Sequence, residues 1–83
     1  METHHHKFVE TYAGPVGFGL ERKLDECTLI VYLQKFSDDD LMDLMRKRMS
    51  QEDMEELFNL ISRLLKRYLT EEEYHRYFVK DAR

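Results

Sequence analysis

The chain of 83 residues carries 17 acidic and 13 basic side chains for a formal net charge of −4, with 42% hydrophobic and 36% charged residues. A chain this short forms one domain with a lean core, burying about 60–65% of the surface its unfolded form exposes. The near balance of charge supplies no broad basic field for nucleic acid or acidic lipid; the single Cys27 excludes an internal disulfide and points to a reducing cytoplasm; and the longest apolar run, Leu29 to Leu33, falls far short of the roughly 18 residues that span a bilayer.

Residues 1–19 differ from the rest. They hold all three glycines, the one proline and three of the four histidines, and read as an irregular arm, either mobile or laid across a helical body. No secretory signal is expected, because no apolar stretch follows Met1 to Lys7. His4, His5 and His6 form a donor cluster for a borderline metal. A structural site wants four rigidly held ligands, and the other soft donors, His75 and Cys27, are distant in sequence, so the cluster reads as adventitious and no metal site is expected. Lys7 to Tyr12 is weakly strand-like but too short to pair alone. Gly14 to Gly19 contains a Gly-x-Gly, yet its proline and the lack of a strand-to-helix context make it a turn and not a dinucleotide loop.

From residue 20 onward there is neither glycine nor proline, which favours continuous helix. Residues 27–33 have the β-branched richness of a buried strand. The longer segment 21–36 lacks breakers and places Leu20, Leu24, Cys27 and Val31 at helical spacing, and helix is the preferred reading. Ile30, Tyr32 and Leu33 then widen its apolar surface beyond one stripe, so the helix is expected to be buried on most sides. The roughly 45 residues that follow are a short body to cover it, which points to a dimer or another partner.

Three junctions repeat one pattern of apolar residue, hydroxyl, two polar residues, acid, apolar residue: 36–41, 49–54 and 69–74. Each predicts a helix start, with Ser37, Ser50 and Thr70 as N-caps, the acid three residues on reaching back, and a flanking hydrophobic staple. The third has the preferred Glu; the first two have Asp, with a shorter reach. The expected helices are 38–48, 51–69 and 71–80. In the longest, Met54, Leu57, Phe58, Ile61, Leu64, Leu65 and Tyr68 form one apolar face. Its expected partners are Leu41, Leu44, Met45 and Met49 before it and Tyr74, Tyr77 and Phe78 after it.

The acidic runs 38–40 and 71–73, with Glu52 and Asp53, lie in first turns, and the basic residues lie near helix ends, as the macrodipole favours. Divalent-metal binding by these carboxylates is set aside, because adjacent helical side chains diverge and no EF-hand loop surrounds them. Arg46, Lys47, Arg48, Arg63, Lys66 and Arg67 could grip phosphates on a helix-turn-helix-like pair. The acidic first turns of both later helices and the overall acidic balance disfavour nucleic acid. Cys27, inside an apolar helix, is expected to be inert. No nucleophile elbow, phosphate loop, HExxH or paired-Cys motif is present.

The reading is an all-α compact bundle of about four helices, near 21–36, 38–48, 51–69 and 71–80, behind the arm 1–19. No catalysis, cofactor, small-molecule ligand or membrane association is expected. The expected role is a small cytoplasmic protein acting through protein–protein contact, as a homodimer or an adaptor or assembly factor. The alternative is a nucleic-acid-binding regulator. The expected contact surface is Leu29, Ile30, Tyr32 and Leu33 with Met42, plus the arm aromatics Phe8, Tyr12 and Phe18.

Overall fold

The computed structural model describes residues 6–81, and every regular element among them is helical. The protein is all-α: α1 (Lys7–Thr11), α2 (Arg22–Phe36), α3 (Asp39–Arg48), α4 (Gln51–Tyr68) and α5 (Glu71–Glu73), which runs into a π-helical turn over Tyr74–Val79. Residues 27–33 are helix. The chain divides between Arg48 and Met49 into two units.

The first unit is organised around α2. The short segment expected as an irregular or strand-like stretch is instead the helix α1, and its rings give the reason. Phe8 and Tyr12, four residues apart, stack with centroids 5.2 Å apart and planes 15° from parallel, which one helical turn permits and which extended chain, advancing about 3.3 Å per residue, does not. α1 also gains a partner for an otherwise orphaned first-turn amide: Val9 N donates to Gln34 Oε1 of α2 at 2.9 Å.

Three further contacts lay the arm along α2. The Thr28 hydroxyl donates to Gly17 O at 2.7 Å and accepts from Gly17 N at 2.9 Å. Gly19 N donates to Asp25 Oδ1 at 2.8 Å, at a backbone φ of +96° that favours glycine. The Tyr12 hydroxyl donates to Pro15 O at 2.6 Å, and a Cβ on Gly14 would sit 2.5 Å from that hydroxyl. Thr28 and Val31, 5% and 6% exposed, are the buried residues under the arm. Leu24 and Cys27 are half-buried beside them, whereas Leu20 precedes the helix and is exposed. The expectation that α2 is buried on most sides is therefore corrected. It buries the one stripe the arm covers, and Leu29, Ile30, Tyr32 and Leu33 stay exposed.

At the start of α3 the cap is Asp38 and not Ser37. Asp38 Oδ1 accepts from Asp40 N at 3.0 Å. Ser37 is used to end α2: its amide donates to Leu33 O at 3.0 Å and its hydroxyl to Gln34 O at 3.1 Å. A residue closing one helix has its hydroxyl turned to that helix's last carbonyls, and the next side chain takes over the start of the following one.

In the second unit both hydroxyl caps form as expected. Ser50 accepts from the Asp53 amide at 3.1 Å. Thr70 makes the full reciprocal box, its hydroxyl accepting from Glu73 N at 3.2 Å while its amide donates to Glu73 Oε1 at 2.9 Å. A cap hydroxyl of this kind contributes about 1 kcal/mol. The last helix was expected to be α-helical over 71–80; beyond Glu73 it widens to π geometry and ends at Lys80, which is left-handed at φ 59° and donates its amide to His75 O at 2.7 Å, five residues back. His75 is tied to both ends of this turn, with Nδ1 2.8 Å from Asp81 Oδ2 and Nε2 3.4 Å from Glu71 Oε1.

Candidate interaction surface

α4 is 18 residues long, about 27 Å at 1.5 Å per residue. Met54, Phe58, Leu60, Ile61, Leu64 and Tyr68 are 38–70% exposed, with Phe58 and Tyr68 at 70%. Leu57 and Leu65 are half-buried. Most of the face predicted to be core is thus exposed, from Met54 at one end of the helix to Tyr68 at the other. Of its expected partners in the last helix, Tyr74 is half-buried and lines a cleft of about 440 Å³ with Ser62, Leu65 and Lys66 at the Leu69–Thr70 elbow; Tyr77 and Phe78 are exposed. Six exposed large apolar side chains along one helix are more than the scattered exposure ordinary on a protein surface.

The charges of α4 are segregated along its length, and of them Asp53 and Arg67 border the stripe while the others project from the far side of the helix. Glu52, Asp53, Glu55 and Glu56 occupy its first half and Arg63, Lys66 and Arg67 its second. Glu52 and Glu56, and Arg63 and Arg67, are like charges four residues apart, the spacing at which side chains meet on one helix, at a cost of about 0.2–0.5 kcal/mol per pair. Among the described residues none of these side chains enters an ion pair. The first turn and last turn suit the macrodipole, but Glu55, Glu56 and Arg63 lie inside it and gain little from it.

α3 shows the opposite arrangement. Asp43 receives Arg46 Nη2 at 2.6 Å and Lys47 Nζ at 3.1 Å. These two hydrogen-bonded cations, Arg46 first, hold its carboxyl below the usual carboxylate range. Two of the six cations considered for phosphate contact are therefore already paired, and the triplet Arg46, Lys47 and Arg48 belongs to a different unit from Arg63, Lys66 and Arg67.

The residues expected to form the contact surface fall into two groups. Leu29, Ile30, Tyr32, Leu33 and Phe18 are exposed in the first unit. Phe8 and Tyr12 are half-buried against one another, and Met42 is half-buried beside the exposed Leu41. Burial, reinforced by the adjacent Cys27 thiol, pushes the Tyr12 phenol up, so it stays protonated and donates to Pro15 O. His4 and His5 lie outside the described residues; His6 Nε2 is 3.3 Å from Ser37 Oγ. Among the described residues no group of three or more His, Cys, Asp or Glu is arranged to hold a metal ion, and no helix is long and apolar enough to cross a membrane. Comparison with protein-family models, curated proteins and solved structures returns no match.

The exposed face of α4 was visible in the sequence as a stripe but was assigned to the core. The signal that distinguishes the two is the charge spacing. A helix that stands alone gains from opposite charges at i and i+4, as α3 has them, whereas α4 has like charges there.

Proposed function

We propose that this protein acts through protein–protein contact, without catalysis, and that the apolar face of α4 joins two copies of the chain. The observation that carries this reading is the exposure of six large apolar side chains along one helix, Met54 to Tyr68. An apolar face that a chain leaves in water is stabilised by about 25 cal/mol for each Å² that association removes from it. A second copy is the partner that also answers the two charges bordering the stripe, since it brings an Arg67 for Asp53 and an Asp53 for Arg67. The single free thiol, Cys27, suits a reducing compartment.

Sedimentation equilibrium of the full chain across a concentration series tests this. The wild type is expected to move from monomer to dimer with rising concentration. Ile61→Lys, at the middle of the stripe, is expected to keep its helical circular dichroism while its dimer dissociation constant rises by about 30-fold, the equivalent of about 2 kcal/mol for a central apolar anchor. A wild-type monomer at every concentration, or an Ile61→Lys variant that associates as the wild type does, overturns the reading.

A further inference from the structure

From the order of charge along α4, and resting on the self-association proposed above, we infer that the two copies pair their α4 helices antiparallel, about a two-fold axis near Asn59 and Leu60. With Met54, Ile61 and Tyr68 in one core column and Leu57 and Leu64 in the other, antiparallel alignment stacks Met54 on Leu64 of the second copy and Leu57 on its Ile61, each layer occurring twice as an isologous contact requires. The same register brings Asp53 beside Arg67 of the second copy at both ends of the pair. The two macrodipoles also oppose. Parallel alignment keeps Asp53 and Arg67 at opposite ends of the pair, where neither meets the other, and sets the two macrodipoles in the same direction, which like-end repulsion disfavours. The specificity of the pair is thus carried by Asp53 and Arg67, the two charges of α4 that border the apolar stripe; Glu52, Glu55, Glu56, Arg63 and Lys66 project from its far side.

The test places cysteine at the flanking positions in a Cys27→Ser background, as Asp53→Cys in one chain and Arg67→Cys in another, and treats each chain alone and an equimolar mixture with a bismaleimide of short spacer. Antiparallel pairing predicts cross-linked dimer from the mixture alone, because positions 53 of two antiparallel copies lie about 21 Å apart, 14 residues at 1.5 Å per residue. Cross-linking of each variant by itself means parallel pairing and overturns the inference while leaving self-association intact. Sedimentation of the same untreated samples separates the two failures: monomers throughout overturn the self-association reading and the orientation with it. A second arm needs no cross-linker. Asp53→Lys is expected to weaken dimerisation several-fold, and adding Arg67→Glu to the same chain is expected to restore it. Parallel copies never bring residue 53 near residue 67, so dimerisation that the added Arg67→Glu leaves unrestored counts against the inference.

Discussion

Thr28 is the residue on which the first unit turns. One hydroxyl, 5% exposed, serves both the amide and the carbonyl of Gly17, so removing it leaves two backbone groups to find water or go unpaired. Thr28→Val keeps the shape and deletes the hydrogen bonds. The expected cost is about 1–3 kcal/mol at this site, read most locally as loss of hydrogen-exchange protection at the Gly17 amide. Protection equal to the wild type would mean that the arm is held without Thr28. The caps show how far residue-scale chemistry could be read in advance. Ser50 and Thr70 were legible because a cap needs only its own next three residues. Ser37 was not, because it stands between two helices and its hydroxyl can serve either one: it bonds Gln34 O of α2, and the neighbouring Asp38 caps α3. Thr28 itself gave no signal, since its partner lies eleven residues away in a loop.

At the scale of the element, α3 and α4 solve the same electrostatic problem in opposite ways. α3 pairs its charges internally through Asp43, and this has a pH signature. The folded carboxyl titrates below the ordinary value of 3.8, so its contribution is fully present above that value and is lost as the pH falls through the lower folded one. Asp43→Asn is therefore expected to reduce helicity slightly at neutral pH and to differ less and less from the wild type as the pH is taken below 3.8. A difference in circular dichroism that persists unchanged into acid would assign the effect to packing instead of charge. The extent of the three longer helices was legible because apolar periodicity and the lack of breakers agree within each, with the Ser50 cap fixing the start of α4. α1 was missed because what makes it helical is partly remote: the Phe8–Tyr12 stack is local, but the Gln34 side chain that receives Val9 N is 25 residues away. The last helix was placed but not its π turn, whose widened bonding closes on Lys80 and His75.

At the scale of the whole molecule, each unit leaves one apolar helical face in water: Leu29 to Leu33 on α2 and Met54 to Tyr68 on α4. The sequence predicted surplus apolar surface and placed it on α2, with Met42 and the arm aromatics Phe8, Tyr12 and Phe18 beside it, and not on α4. Amphipathicity states that a face has to be covered and not by what, so the α4 stripe read as core until its exposure was seen. The α4 face is bordered by an acid near its start and a base near its end, Asp53 and Arg67, which the proposed dimer pairs by setting two copies in opposite directions. The most direct measurement is an isotope-filtered nuclear Overhauser experiment on an equal mixture of ¹³C-labelled and unlabelled chain. Antiparallel α4 pairing predicts intermolecular contacts from the Ile61 methyl groups to Leu57 and from Leu64 to Met54. Contacts joining Met54 to Met54, or no intermolecular contact from any α4 methyl group in a sample that sediments as a dimer, would contradict it.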